Sequence, residues 1–188
     1  IINNHEIINK DGGIRPNTSH EILDGLKLAF DENGTVTAGT ASPLTDGASA
    51  VIVCEEEYAK KNSLNILARI KSTAVVGCPP ELMGLGPINA SKKALKRANL
   101  SISDIDIVEL NEAFASQSLA CIKELNMDIS KVNIHGGAIA LGHPLGATGA
   151  GITGKVASLL QNNNKKYGLA TQCIGLGQGI ATVLENIN

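Results

Sequence analysis

Three polar side chains stand in settings that favour a reactive site. His143 lies within the glycine-rich stretch 136–149, Cys173 precedes a second cluster of glycines, and Asn111 directly follows an apolar run. A thiolate and an imidazole exchange protons readily, and glycines let backbone N–H groups approach a ligand and stabilise an oxyanion. These residue types in these settings predict acyl transfer.

Each of these residues also has a purely structural interpretation. Asn111 can cap a helix that begins at Glu112, since Asn is a favoured N-cap residue. His143 can be a structural histidine that hydrogen-bonds a loop. Cys173 can be a small buried apolar residue, the usual fate of a free cysteine. The residues taken singly leave these alternatives open.

The same glycines raise the alternative of a nucleotide site, for which the sequence gives little support. Gly154 and Lys155 are followed by Val156, so the Ser or Thr of a phosphate-binding loop is missing. The repeat at 175–179 has neither the spacing nor the strand-to-helix setting of a dinucleotide fingerprint.

The elements that would position these residues alternate between strands and helices. Apolar runs predict strands at 48–54, 64–76, 105–110, 168–173 and 179–184, with another beginning at 132–134. Helical spacing predicts helices at 21–30, 55–62 and 86–99, one starting near 112, and one containing 156–160. Asn111, His143 and Cys173 are each expected at a strand end, where α/β proteins gather their sites. The order predicts an α/β layer structure with a mixed sheet and a hairpin at its C-terminal end.

Composition excludes several function classes. The 188 residues carry a formal net charge of −2, which argues against nucleic acid or polybasic membrane partners. No apolar stretch approaches the length of a membrane span, and no signal segment opens the chain. The four cysteines form no C-x-x-C pair, so free thiols, a cytoplasmic location and no metal site are expected. Because the sequence begins with Ile1, we expect that upstream residues are missing from it.

Several motifs together resemble the thiolase family in content, order and spacing. They are Asn-Glu-Ala-Phe-Ala at 111–115, Gly-Gly-Ala-Ile-Ala-Leu-Gly-His-Pro at 136–144 and Cys-Ile-Gly at 173–175. Gly-Thr-Val-Thr-Ala-Gly at 34–39 and Met-Gly-Leu-Gly-Pro at 83–87 extend the match over nearly the whole chain. The chain looks like the C-terminal half of an acetyl-CoA acetyltransferase or 3-ketoacyl-CoA thiolase.

The resemblance implies a role for each site residue. His143 would activate a nucleophilic cysteine, and Asn111 would hold a water beside the thioester oxygen. Cys173 would be the second catalytic cysteine, which takes the α-proton of an acetyl group in condensation and protonates the leaving carbanion equivalent in thiolysis. A thiolate near an imidazole can have a lowered pKa, which is expected here. Gly175 would offer its N–H to an oxyanion, and Ser42 would contact the pantetheine arm of coenzyme A. Coenzyme A and acyl-CoA would be substrates, with no metal or redox cofactor.

The nucleophilic cysteine of the family has no counterpart in this sequence. That residue belongs to the N-terminal half of thiolases, so this chain alone is expected to be inactive and to need that half as its partner. The resemblance implies a layered αβαβα fold, divided here into the end of a loop domain at 1–40, the last strand and helix of the N-terminal domain at 41–64, and the C-terminal domain at 65–188. The strand and helix at 41–64 would lack most of their packing partners.

The reaction implied is thiolysis of a 3-ketoacyl-CoA, or its reverse, Claisen condensation of two acetyl-CoA, through an acyl-cysteine in a homodimer or homotetramer. Leu176, where biosynthetic members often have Gly, leans slightly towards the degradative type. The alternative is a non-catalytic C-terminal fragment that serves as an assembly or packing module. A ketoacyl synthase is disfavoured, because Cys173 stands where those enzymes have His or Asn.

Overall fold

Helices cover both faces of a four-stranded mixed sheet in this computed structural model, which describes residues 2–3, 6–7 and 9–187. The strands are β1 (Ile2–Asn3), β2 (Glu6–Ile7), β3 (Arg69–Gly77), β4 (Ile107–Leu110), β5 (Tyr167–Ile174) and β6 (Gln178–Glu185). The helices are α1 (His20–Asp24), α2 (Glu56–Lys61), α3 (Gly86–Ala98), α4 (Ala115–Glu124), α5 (Ala138–Leu141) and α6 (Leu145–Asn162). Short 3-10 segments lie at Pro80–Leu85, Ile102–Asp104 and Ile129–Lys131.

The sheet has the strand order β3-β6-β5-β4. β6 pairs antiparallel with both β3 and β5, which confirms the predicted hairpin at the end of the chain. β4 pairs parallel with β5, with Leu110 opposite Thr171. A parallel pair needs a crossover connection, and α4, α5 and α6 provide it. The predicted mixed α/β sheet is therefore confirmed.

Each face of the sheet has its own apolar core. α3 and α4 cover one face, where fully buried side chains include Leu110, Cys121, Leu169 and Val183. α6 covers the other face through residues such as Val156 and Leu160. Among the described residues, no helix is both long enough and apolar enough to span a bilayer.

The start of α3 packs directly on β6, and this contact requires glycine on both elements. A Cβ at Gly179 would overlap the backbone of Gly86, and a Cβ at Gly86 would overlap the backbone of β6. Pro87 suits the first turn of the helix, and Asn99 ends it with a left-handed φ of 54°. The predicted helix at 86–99 is confirmed, and its contact fixes β6 beside Cys173, which pairs with Gly179.

Two predicted strands are wrong, and one predicted helix begins later than expected. Residues 48–54 form no strand and are exposed, because no neighbouring strand pairs with them. The strand expected from 132 is reduced to one bridge between Val132 and Val108, because Asn133 adopts a left-handed φ of 48° and turns the chain away. The helix expected near 112 begins only at Ala115.

The other elements differ mainly in length. α1 is shorter than the helix predicted at 21–30, and β3 begins later than the strand predicted at 64–76. α2 agrees with the helix predicted at 55–62. The division into domains at 40 and 64 stays a prediction, and it includes residues 1, 4, 5, 8 and 188, which lie outside the described residues.

Candidate active site

The candidate site begins where β4 and β5 end side by side. Asn111 directly follows β4, and its N–H donates to the Thr171 carbonyl at 3.0 Å, which continues the parallel pairing by one residue. The residue is 4% exposed. Cys173 lies shortly beyond Thr171 on the same strand. Both residues are therefore at the strand ends that the sequence predicts.

His143 reaches the site from a loop, so its predicted place at a strand end is wrong. It follows α5 and Gly142, whose φ of 96° is one that only glycine adopts easily. The His143 N–H donates to the Pro43 carbonyl at 3.2 Å, and α6 begins just beyond it. Backbone contacts on both sides thus fix the Cα of His143.

The His143 imidazole is held through both ring nitrogens. Nδ1 lies 2.7 Å from the Thr148 hydroxyl oxygen, and Nε2 lies 3.3 Å from Asn111 Nδ2. The Thr148 hydroxyl donates its only proton to the Pro144 carbonyl at 3.1 Å, so its oxygen accepts from the Nδ1–H of His143. Nε2 therefore carries the lone pair, which accepts from the Asn111 amide.

This arrangement suits a general base. Burial lowers the pKa of His143 below its ordinary value of 6.5, so the imidazole is neutral near pH 7. A neutral imidazole with an unprotonated Nε2 can take a proton from a thiol once the thiol replaces the weak 3.3 Å contact with Asn111. The imidazole contacts Asn111, another predicted site residue, and the hydroxyl of Thr148 in the first turn of α6, so the structure brings two predicted site residues together.

Thr148 is a site residue that sequence reasoning missed. It is buried in the first turn of α6, and its hydroxyl returns to a carbonyl one turn earlier, as Thr side chains in helices often do. The signal available in the sequence was a threonine about one turn after a histidine at a helix start.

Glu112 is a second residue whose role was missed. Its Oε1 accepts from Asn133 Nδ2 at 2.8 Å and its Oε2 accepts from the Ile139 N–H at 3.2 Å. The Asn133 side chain in turn pairs with both the N–H and the C=O of Leu110. Glu112 therefore anchors the loop that leads to His143.

These contacts contradict the interpretation of Asn111 as a helix cap. α4 begins at Ala115, its N-cap is Phe114, and no side chain caps it. The Asn111 amide is directed to His143 instead. Its predicted role in holding a water remains a prediction.

Cys173 is half-buried, and its pKa is raised above its ordinary value of 9.0. Burial is the main cause, and Cys78 adds to it. The expectation of a lowered pKa is therefore wrong for this chain. Among the described residues, the imidazole of His143 bonds to Asn111 and Thr148 and makes no hydrogen bond with Cys173. Near pH 7 Cys173 is a protonated thiol, a form that can donate a proton.

Gly175 begins the loop that joins β5 to β6. The space around its Cα is open, so a ligand can approach the backbone there. Leu176 follows with a left-handed φ of 69° and a side chain 89% exposed, and Gly177 has a φ of 93°. The Gly177 carbonyl accepts from the Cys78 N–H at 2.9 Å, which ties the loop to the end of β3.

Ser42 lies on a segment that contacts both the residues after β4 and the loop that carries His143. Its N–H and its hydroxyl both donate to the Ala113 carbonyl, at 3.0 and 3.2 Å. The neighbouring Leu44 forms a parallel bridge with His143. The hydroxyl oxygen of Ser42 keeps its lone pairs for a donor from a ligand.

Two cavities among the described residues are lined in part by α6. One of about 280 Å³ is lined by Asn111, Thr148, Glu109 and Lys155, and therefore adjoins the His143 contacts. The other, of about 740 Å³, lies between residues 50–54, residues 64–70 and α6, away from the site. Within the described ranges, no three His, Cys, Asp or Glu side chains gather in a way that could hold a metal ion.

Known proteins resemble the chain along almost its whole length. It is 57% identical over 181 residues to a 3-ketoacyl-CoA thiolase of Shewanella frigidimarina, and 57% identical over 182 residues to one of Vibrio vulnificus. These alignments cover 94% and 95% of this chain and 47% of each relative. The chain thus spans about half the length of the relatives it matches.

Solved structures give the same result for the fold. The human mitochondrial 3-ketoacyl-CoA thiolase in complex with CoA superposes with a TM-score of 0.92 at 48% identity, covering 97% of this chain and 46% of that one. The acetyl-CoA acetyltransferase of Bacillus anthracis superposes with a TM-score of 0.90 at 44% identity, covering 94% of this chain and 45% of that one.

Two family descriptions match the sequence. Residues 2–57 match the thiolase N-terminal domain, and residues 64–186 match the thiolase C-terminal domain. The second match alone includes most of the chain, with β3 to β6 and every predicted site residue except Ser42. The chain belongs to the thiolase family.

Proposed function

We propose that this chain is part of a thiolase polypeptide that cleaves a 3-ketoacyl-CoA with coenzyme A. In reverse it would condense two acetyl-CoA to acetoacetyl-CoA. The observation that carries the proposal is the imidazole of His143, which Thr148 and Asn111 orient with Nε2 unprotonated and therefore able to act as a base. The relatives and structural neighbours named as thiolases support the same chemistry.

His143 would take the proton of a nucleophilic cysteine supplied by residues outside this sequence. The resulting thiolate attacks the C3 carbonyl of the substrate, and the bond between C2 and C3 then breaks. The acyl group stays on the cysteine, and the electron pair goes to the α-carbon of the departing acetyl-CoA. Asn111 would hold the water that helps His143 stabilise the thioester oxygen, because a preorganised donor stabilises charge that develops in the transition state.

Cys173 would donate the proton that converts this carbanion equivalent to acetyl-CoA. Its raised pKa supports the role, because a proton donor must be protonated when the carbanion forms. The N–H of Gly175 would stabilise the oxyanion on the acetyl-CoA side. The Cys173 thiolate would then take the proton of the coenzyme A thiol, whose sulfur attacks the acyl-cysteine. This releases the shortened acyl-CoA, and the His143 imidazolium returns its proton to the leaving cysteine.

Coenzyme A and acyl-CoA would enter as substrates, without a metal or redox cofactor. Ser42 would contact the pantetheine arm, and its position beside Ala113 and near the backbone of His143 supports that role. The human structural neighbour solved in complex with CoA supports binding of this substrate class. The complete protein would be a cytoplasmic homodimer or homotetramer.

The test uses the complete natural polypeptide that contains these residues. Thiolysis of acetoacetyl-CoA is followed for the wild type, for His143→Ala and for His20→Ala, whose side chain is exposed on α1. We expect His143→Ala to lower kcat about 10²- to 10⁴-fold, the usual contribution of a general base. His20→Ala should match the wild type. A wild-type polypeptide without turnover would favour the assembly-module alternative, and normal turnover of His143→Ala would refute the proposed role of the imidazole.

A further inference from the structure

A buried ion pair lies beside the site, on the α6 face of the sheet. Glu109 of β4 is 2% exposed, and its Oε2 lies 3.0 Å from Lys155 Nζ of α6. Its Oε1 has no hydrogen-bond partner among the described residues. The other residues of β4 are apolar. A charge in such a strand is costly unless it is paired, so Lys155 is the group that keeps the Glu109 carboxylate stable.

Lys155 also makes a second contact, with the loop that leads to His143. Its Nζ donates to the Gly136 carbonyl at 2.7 Å, while the Lys155 side chain is only 25% exposed. Gly136 has a φ of 83° and lies at the turn before α5. One ammonium group therefore links β4, α6 and this loop.

Glu112 anchors the same loop a few residues further on, through the Ile139 N–H. The loop is thus attached at two points, to Lys155, which pairs with Glu109 of β4, and to Glu112, two residues after β4. β4 also leads directly into Asn111, the residue that contacts His143 Nε2. The same strand therefore determines the position of both partners in that contact.

We propose that the Glu109–Lys155 pair is a positioning element for His143. By holding the Gly136 carbonyl against β4, it keeps the imidazole where Nε2 meets Asn111 and Nδ1 meets Thr148. The inference rests on the proposed function in that turnover is one of its two measurements. Neither residue touches the reacting atoms.

A purely structural ion pair would give different results, because buried pairs are often replaced by neutral side chains without loss of stability. The decisive variant is therefore the double substitution Glu109→Gln with Lys155→Met in the complete polypeptide. It leaves no unpaired buried charge, so it should fold, but the methionine thioether has no proton to donate to the Gly136 carbonyl. We expect kcat to fall about 10- to 100-fold, the effect of misplacing a catalytic group by about 1 Å, with KM within about twofold of wild type.

Two further variants complete this experiment. Lys155→Arg keeps the charge and the donors, and should recover most of kcat. Lys131→Met is the matched control, because Lys131 Nζ donates to the Ile105 carbonyl just before the opposite end of β4, at 2.8 Å. Its kcat should equal that of the wild type. A double variant that turns over like the wild type would overturn the inference.

The second measurement does not depend on turnover. The ¹⁵N shifts of the His143 imidazole in the complete polypeptide should show the Nδ1–H tautomer in the wild type and a mixture in the double variant. Identical shifts in the two proteins would overturn the inference. If the wild type fails to cleave acetoacetyl-CoA, the proposed function fails, and these shifts alone decide whether the pair positions His143.

Discussion

Two segments of this chain, residues 48–54 and the strand β6, are both rich in apolar residues but have opposite environments. β6 lies between β3 and β5, hydrogen-bonded on both sides, and its residues Ala181 and Val183 are fully buried. In the other segment Ile52 is 89% exposed and Val53 is 69% exposed, with no strand formed. An apolar run therefore specifies a tendency towards burial, whereas the strand itself requires neighbours that satisfy its backbone.

The residues of the candidate site also fall into two groups, one next to the packed sheet and one in the exposed region. Asn111 and Cys173 lie at strand ends of the sheet, and His143 lies in the loop directly before α6, close to the packed elements. Ser42 belongs to the less supported region, and backbone hydrogen bonds to Ala113 and His143 connect that region to the sheet. The two regions should therefore respond very differently to substitution.

The largest difference should come from the core beneath α6. Leu160 is fully buried between α6 and the sheet, so Leu160→Ala should lower the free energy of unfolding by about 2–5 kcal/mol. Leu119→Ala is the matched control, because Leu119 lies on α4 and is 58% exposed, and it should change stability by about 0.5 kcal/mol or less. Urea unfolding of both variants gives the comparison. Equal losses would mean that α6 is not packed as described.

A smaller effect should follow from the protonation of His143. Because burial lowers its folded pKa below 6.5, the unfolded chain binds the proton more tightly than the folded chain does. Stability is therefore present above the unfolded pKa and is lost as pH falls through the folded pKa. Urea unfolding between about pH 7.5 and about pH 5 should show this loss in the wild type and a smaller one in His143→Asn. The same pH dependence in both proteins would show that His143 is not buried.

Local sequence patterns predicted those features of the site that depend only on residues close in sequence. Asn111 and Cys173 were assigned to strand ends because apolar runs precede them, and the hairpin followed from glycines between two such runs. The position of His143 in a loop was not predicted, because it depends on side chains distant in sequence. The Asn133 side chain accepts from the backbone N–H of β4, as a neighbouring strand would, and Glu112 anchors the loop that leads to His143. The residues next to His143 in the sequence do not predict those contacts.

The run at 48–54 was mispredicted for the complementary reason. Its composition is that of a buried strand, and the pattern holds no information on whether a partner strand is present. The family resemblance predicts that the segment is the last strand of the N-terminal thiolase domain, whose model matches residues 2–57. On that prediction, its burial depends on strands outside this sequence.

A modest gain in stability is expected at the hairpin loop. Leu176 adopts a left-handed backbone that costs a non-glycine residue about 1–2 kcal/mol, and its side chain is almost fully exposed. Leu176→Gly should relieve this strain, but glycine also gains more conformational freedom in the unfolded chain. The net stabilisation should therefore be about 1 kcal/mol or less. Leu176→Ala removes the same exposed side chain but keeps the strain, so it should leave stability nearly unchanged. A gain from Ala equal to that from Gly would mean that exposure, and not backbone strain, sets the effect.

The smallest effect is expected in the exposed run, where one substitution tests the comparison directly. Ile52→Ser should change the stability of this chain by about 0.5 kcal/mol or less, whereas Ile105→Ser, at a residue 1% exposed, should cost about 2–5 kcal/mol. In the complete polypeptide the cost of Ile52→Ser should rise towards that of Ile105→Ser, because a strand from the other half would bury the run. A cost that stays small in both proteins would show that residues 48–54 remain exposed even when every partner is present.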